Sequence, residues 1–477
     1  MRPVVGFDLD LTLVDSADGI VVTFLETARR FATTVHQDSV RALIGVPLED
    51  MCRQLIGPDV EVAAARLYRE LYPHLGVPRT VLMPGAADAV AAVRAQGGRA
   101  VVVSAKAEHL IHASLEYVGL VVDDVVGDRF GAAKGAALRE LGAAVHVGDH
   151  PGDMVGATAA DARAVGVTTG PHDAAALRHA GADTVLSGLE EFPEWLEEYV
   201  LASRLAALER QLRDLGSVVV AFSGGADSAF LLAAAVRALG ADSVLAATAV
   251  SPSLPRRELV AAREFAEGLG VRHFRPRTDE LAREGYRANG GDRCYFCKAE
   301  LLDVLAPLAE RLGYAHVATG TNADDALAGF RPGIRAAAER GAVTPLRDAG
   351  LTKAQIREVS RRWGLATWDK PAAACLSSRV AYGLEITPAR LARVDRAEAA
   401  LRAELVKAGL PVRNLRVRDV GRLARIEVDA ELVDQVAATA TALAAVRAAG
   451  FESVKVDPRG FRSGSMNELL PEPSRFR

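Results

Sequence analysis

Short apolar runs rich in valine and alanine alternate with longer stretches of helical periodicity from residue 4 to about residue 190. The same alternation resumes at "VVVAF" (218 to 222) and continues to about residue 370. Strand and helix in repeated succession predict parallel sheets covered by helices, so the fold class is α/β with two domains in series. Between them, residues 190 to 216 are charged and helical in period, which ends one domain and leads into the next near residue 198. After residue 385 the pattern changes to a helix rich in alanine, arginine and glutamate. Short strands "NLRVRDV", "LARIEVD" and "FESVKVD" follow, predicting a small α+β domain. The expected division is 1–198, 199–385 and 386–477, the last serving substrate binding or oligomerisation, with "PEPSRFR" as a loose tail.

Composition narrows the setting. Half of the 477 residues are apolar, enough for several cores. No uninterrupted apolar run approaches the roughly 18 residues of a membrane helix, so a soluble chain with no membrane partner is expected. Four cysteines and no apolar leader predict reduced thiols and a cytoplasmic location. The formal charge of −4 gives no global pull toward nucleic acid. Lysine is scarce, at positions 106, 134, 298, 353, 370, 407 and 455 only, while arginine supplies most positive charge. Because the two cations differ in shape, hydration and pKa range, each lysine draws attention.

The first strand delivers "FDLDLTLVDS", with Asp8 and Asp10 at its carboxyl end, where open α/β sheets place their ligands. "VVVSAK" ends a strand at Ser104, "GAAKGAAL" carries Lys134, and "VHVGDHPGDM" ends a strand at Asp149 and Asp153. In this order the segments resemble the four motifs of the haloacid dehalogenase superfamily. The resemblance implies a Rossmann-like phosphatase domain with Asp8 as the nucleophile that forms an aspartyl-phosphate and Asp10 as the general acid/base. It further implies Ser104 on a phosphoryl oxygen, Lys134 over the transferring charge, and Mg²⁺ held by Asp8, Asp10, Asp149 and Asp153. Residues 16 to about 80 are helical in pattern, as is the substrate-selecting cap of the phosphoglycolate-phosphatase-like branch. Lys106 is read either as a second phosphate contact or as a surface lysine.

"VVVAFSGGADSAFLLAAAVRAL" is a strand, a Ser-Gly-Gly turn and an apolar helix. Glycines let backbone N–H groups approach an anion, and the helix N-terminus adds its positive end. The loop lacks the lysine of a γ-phosphoryl-transfer site. It resembles the SGGxDS motif of PP-loop ATP pyrophosphatases, which implies that Ser223, Gly224, Gly225, Asp227 and Ser228 hold the pyrophosphate of ATP during adenylation. Further along, "GTNADD", "FRPGIRAAAERG", the stretch from 350 to 387 and "RVRDVGRLARIEV" resemble the LarE family of sulfur transferases. That family replaces oxygen by sulfur in a pyridinium dicarboxylate mononucleotide on the way to a nickel-pincer cofactor. The resemblance implies a nucleotide-like carboxylate substrate, a sulfur donor, a homo-oligomer, Cys375 as the sulfur-bearing nucleophile, Arg416 and Arg418 on the substrate phosphate, and Glu398 and Glu427 in the active site.

The "DRCYFCK" segment adds Cys294 and Cys297. With Cys375 they supply three thiolates, which a 4Fe-4S cluster with one open iron would use. Structural zinc wants four ligands, and Cys52 lies in the phosphatase part. Unrelated thiols with a sacrificial Cys375 form the other alternative. Rival functions are an RNA thiolase, disfavoured by the absence of a basic tract, and an ammonia-dependent ligase, which has no use for three thiols. A non-catalytic nucleotide sensor should have lost some of Asp8, Asp10, Asp149 or Asp227, and all are present.

Overall fold

The computed structural model describes residues 2–327, 331–371, 375–462 and 465–466. The tail read at "PEPSRFR" lies outside them. The chain divides into two compact units, Met1–Ala202 and Ser203–Arg477, and the helix Phe192–Leu215 runs across the division.

The first unit is built on six strands in the order Asp124–Val126, Arg99–Val103, Val4–Phe7, Val145–Gly148, Arg163–Val167, Thr184–Leu186. All neighbouring pairs are parallel. Strands such as Arg99–Val103 and Arg163–Val167 bury four of five residues, because helices cover both faces and leave no side for alternating polar positions. Val4–Phe7 lies between Arg99–Val103 and Val145–Gly148, where the order reverses direction, so its carboxyl end opens onto the crevice that such sheets use for ligands. The helices Ala17–Arg30, Gln37–Arg41, Leu48–Leu55 and Glu61–Leu75 form an insertion whose apolar cluster, including Phe24, Met51, Tyr68 and Tyr72, also takes in Leu11, Ala107 and Leu110. The chain leaves and re-enters the sheet layer through an antiparallel pair, Val14–Asp15 with Val81–Leu82, which ties both ends of the insertion together.

The second unit holds a parallel sheet in the order Arg272–Phe274, Val244–Ala247, Val218–Ala221, His316–Thr319. Val218–Ala221 and Val244–Ala247 are buried at every position, as their unbroken apolar runs dictate. The residues from 386 onward add a separate three-stranded sheet, Leu415–Val420, Leu423–Val428, Ser453–Val456, under the helices Pro388–Lys407 and Ala440–Ala448. Its core is shared with Tyr286, Leu376 and Val380 from earlier in the chain, so these residues and the C-terminal sheet form one apolar cluster.

At the edge of that small sheet Asp419 is fully buried. It accepts from Arg390 Nη1 (2.9 Å), Arg393 Nη2 (2.5 Å) and Gly421 N (3.0 Å). Removing this carboxylate strands two guanidinium groups that keep some access to water. Asp419→Ala should therefore cost about 2 kcal/mol, read as a lower urea midpoint at unchanged m.

Candidate active sites

Asp8 follows the central strand Val4–Phe7, Ser104 follows Arg99–Val103, and Asp149 follows Val145–Gly148, so three adjacent strand ends converge. Asp153 joins them from the first turn of Pro151–Ala159. Oxygens of Asp8, Asp149 and Asp153 lie within 4.8 Å of one another, and all three residues are buried. Lys134 Nζ donates to Asp8 Oδ1 at 2.6 Å and also to Asp153 Oδ1. Two of the three carboxylates then share one ammonium. Burial pushes the Asp8 and Asp149 carboxyls up, with neighbouring carboxylates adding to it. Asp153 moves the other way: Lys134 and then His146 outweigh its desolvation and hold it below the usual range. Burial pulls Lys134 down, but Asp153 and Asp8 more than offset this and keep it a cation.

This surplus of buried negative charge fits a divalent cation with oxygen ligands, which would relieve the crowding. Close packing supports the donors. A Cβ on Gly170 would stand 1.8 Å from Asp149 Oδ2, and Thr12 Oγ1 donates to Asp149 Oδ1 at 3.0 Å. His150 keeps a neutral ring, its pKa lowered by burial to about 4, and its Nδ1 accepts from Gly152 N at 2.9 Å to cap the helix.

One expectation needs correction. Asp10 is not among the clustered carboxylates: its Oδ1 accepts from Ser16 Oγ at 2.5 Å and from Lys106 Nζ at 2.6 Å. The second carboxylate is held by Lys106 and Ser16, away from the three clustered acids. Lys106 is not a surface lysine either, its side chain being 7% exposed.

In the second unit the turn Ser223–Gly225 joins the strand Val218–Ala221 to the helix Ala226–Leu239. Gly224 adopts φ 72°, which a residue with a Cβ rarely takes, and the loop is closed by Ser223 N donating to Ser228 Oγ (3.3 Å). Burial raises the Asp227 carboxyl, and its buried Oδ1 has no hydrogen-bond partner, which marks a position for a ligand or its counter-ion. Lys370 supplies the cation that the loop's own sequence lacks: Nζ donates to Gly224 O at 2.8 Å and pairs with Glu258 at 2.8 Å. Sequence reading left Lys370 without a role, although the scarcity of lysine was a usable signal.

The same cavity, about 350 Å³, is lined by Ser223, Asp227, Ser228, Lys298, Cys297 and Cys375. Cys294 and Cys297 occupy the first turn of Arg293–Arg311, three apart and so on one helix face. Cys375 is brought to them by its neighbours. Leu376 N donates to Ser253 O (2.8 Å), and Arg293 Nη1, from the helix that carries the other two thiols, donates to Ser377 O (3.1 Å). Arg379, fully buried, donates to Cys375 O (2.9 Å) and to Glu398 Oε1 (2.9 Å). Burial raises the Cys297 and Cys294 thiols, and the nearby Cys375 is the next cause for each.

The remaining expected contacts are redrawn. Glu398 is the counter-ion of Arg379 and accepts Val417 N (3.1 Å), so it acts on the Cys375 segment through Arg379. Arg418 is occupied by Glu427, with Nε and Nη2 donating to Oε2 at 2.9 and 2.7 Å, and Nη1 donates to Ser378 O at 3.1 Å. Neither Arg418 nor Glu427 is left free to grip a ligand. Arg416 is buried, its guanidinium over the Phe461 ring, and desolvation followed by the nearby Arg379 lowers its pKa to about 10.

Residues 5–167 match the family model described as haloacid dehalogenase-like hydrolase. A probable phosphatase, IndB, of Dickeya dadantii is 33% identical over 212 residues, covering 40% of this chain and 92% of that protein. A putative haloacid dehalogenase-like hydrolase of Bacteroides fragilis matches at 25% identity and TM-score 0.36, covering 40% of this chain and 99% of that one. An uncharacterised protein of Synechocystis sp. is 43% identical over 274 residues, which is 57% of this chain and 99% of that protein. The pyridinium-3,5-bisthiocarboxylic acid mononucleotide synthase of Lactiplantibacillus plantarum is 35% identical over 271 residues, 57% of this chain and 96% of the synthase. The chain belongs to this LarE-like family and also carries a haloacid dehalogenase-like hydrolase domain. An alignment of 271 residues exceeds the length of the first unit, Met1–Ala202, so the LarE-like part includes residues of the second. Among the described residues no helix is long and apolar enough to cross a membrane.

The cation site is open to a direct test. Gly170→Ala places a methyl against Asp149. Calorimetric titration should show Mg²⁺ affinity about 10- to 100-fold weaker, the range typical when the supports of a metal ligand are disturbed, with the melting profile little changed.

Proposed function

We propose that the chain is a bifunctional enzyme, an ATP-dependent sulfur transferase acting on a nucleotide-like carboxylate and a Mg²⁺-dependent phosphatase or pyrophosphatase. The observation that carries the first activity is the single cavity that holds both the glycine loop and two of the thiols. A carboxylate oxygen attacks the α-phosphorus of ATP there, the α–β bond breaks, and pyrophosphate leaves toward the N–H groups of Ser223–Gly225. Sulfur then attacks the activated carbonyl carbon, the bond to AMP breaks, and a thiocarboxylate remains.

Two sources of that sulfur suit the residues. Cys294 and Cys297 on one helix, with Cys375 lining the same cavity as Cys297, would suit a 4Fe-4S cluster, which when bound supplies an open iron for exogenous sulfide. Cys375 alone suits a sacrificial route: its thiol forms a thioester, loss of the α-proton breaks the Cβ–S bond, and dehydroalanine is left. The RNA thiolase reading remains secondary, because the resemblance to a mononucleotide synthase points to a small substrate.

In the phosphatase half, Asp8 attacks phosphorus and the ester P–O bond breaks as Asp10 gives its proton to the departing oxygen. Water next attacks the aspartyl-phosphate, its proton passes to Asp10, and phosphate leaves. Lys134, bonded to Asp8, offsets the charge on the transferring group. Pyrophosphate from the other unit and a phosphomonoester on its substrate both fit this chemistry.

Two assays test the reading. With a carboxylate substrate, ATP should yield AMP and pyrophosphate, and Asp227→Ala should suppress both by about 100-fold; the assay belongs in the Asp8→Asn background, where pyrophosphate is not consumed. ADP as product would overturn it. Anaerobically purified protein should bind iron, and Cys294→Ala, Cys297→Ala or Cys375→Ala should each lose that iron together with multiple-turnover transfer from sulfide. If only Cys375→Ala abolishes transfer and iron is absent, the sacrificial route holds instead.

A further inference from the structure

Asp10 and Lys106 share a contact that the reaction above does not use. Lys106 Nζ donates to Asp10 Oδ1 at 2.6 Å and to the hydroxyl of Tyr72 at 2.9 Å. Lys106 stands two residues after Ser104, on the core side of the site. Tyr72 belongs to Glu61–Leu75, a helix of the insertion, where its fully buried ring stacks on Tyr68 at 5.4 Å. One ammonium thus joins the acid/base carboxylate of the core to a rigidly packed tyrosine of the insertion. Asp10, Ser104, Lys106 and Tyr68 also line one small cleft with Asp8, so the bridge sits where a phosphate ester must enter.

We propose that Lys106 is a positioning residue, anchored by Tyr72 of the insertion, which orients the Asp10 carboxylate for proton delivery. This rests on the phosphatase reading. The physical reason is directional. Asp10 Oδ1 takes hydrogen bonds from Lys106 and Ser16, which fixes the carboxylate plane and leaves Oδ2 to exchange the proton with the departing oxygen. A lysine on a four-carbon stem holds such a direction only if its own end is anchored, and Tyr72 is that anchor. Two of the three N–H bonds of Lys106 are committed to Asp10 and Tyr72.

The first step balances as written above: the Asp8–P bond forms, the ester P–O bond breaks, and the proton on Asp10 moves to the leaving oxygen. A nitrophenolate departs without that proton, whereas an alkoxide does not. The test compares kcat/KM, which reports this step, for p-nitrophenyl phosphate and for whichever alkyl phosphate the full-length protein hydrolyses fastest. Lys106→Met should lower the alkyl value by about 100-fold, the scale of general acid catalysis, and the aryl value by less than about tenfold. Tyr72→Phe, which keeps the stacked ring, should lower the alkyl value by about tenfold and the aryl value less. Lys106→Arg should recover part of the alkyl loss. Equal losses on the two esters, or no loss on either, in variants with unchanged melting profiles would overturn the proposal. A wild-type protein inert toward both esters in Mg²⁺ buffer would overturn the phosphatase reading itself.

Discussion

A strand buried on both faces can present polar groups only at its ends, and both units build their chemistry under that constraint. Val4–Phe7 and Val218–Ala221 are each the first strand of a parallel sheet and each lies inside it. Their side chains are spent on the core, so the chain turns from apolar to ionic or glycine-rich within one residue: Phe7 to Asp8 in one unit, Phe222 to Ser223 in the other. Everything placed around those two turns, the helix N-termini, the neighbouring strand ends and the distant lysines, is there because the sheet fixes the turn.

Fixing the turn has an electrostatic cost that the two units meet differently. Beside Asp8 the fold collects two further buried carboxylates and offsets them with Lys134, leaving an excess of negative charge. Removing like charges from water raises their pKa values, and a divalent cation is the economical remedy. Near Cys375 the fold instead uses whole ion pairs. Arg379 with Glu398 and Arg418 with Glu427 are buried and mutually satisfied, so they hold backbone in place without creating a demand for a ligand. The contrast separates charges that await a partner from charges that position a loop.

That distinction explains what could be read from sequence. The two sheets, the helical insertion and the strand-end acids were legible because local period and a turn of a few residues carry them. Asp8, Ser104 and Asp149 converge because adjacent parallel strands bring their carboxyl ends together, while Lys134 and Asp153 reach Asp8 from the helices Ala132–Leu141 and Pro151–Ala159. Alternation correctly put Arg416 and Arg418 on one face, but period two cannot say that this face is covered and that Glu427 waits on the next strand. Two positions in sequence suggest one ligand set for Asp8 and Asp10, but hydrogen bonds from Lys106 and Ser16 hold Asp10 elsewhere, and neither partner is predictable from local spacing. Lys370 and Gly224, and Tyr72 and Lys106, meet across long separations, so only the fold discloses them.

The unequal supply of cations agrees with the unequal fate of phosphate in the two proposed reactions. In the first unit phosphorus is bonded to the protein for part of the cycle, so the site must favour a transferring group whose charge changes as bonds form and break. Lys134 touching the nucleophile serves that need. In the second unit pyrophosphate is a leaving group that has to depart, and a site that bound it as tightly as a transition state would stall. Backbone N–H groups and a helix end attract an anion moderately, and Lys370 braces the loop through a carbonyl and through Glu258, so part of its charge is already spent before any phosphate arrives. A glycine loop steadied by a neutralised lysine therefore suits turnover, where a free lysine at the same place would suit retention.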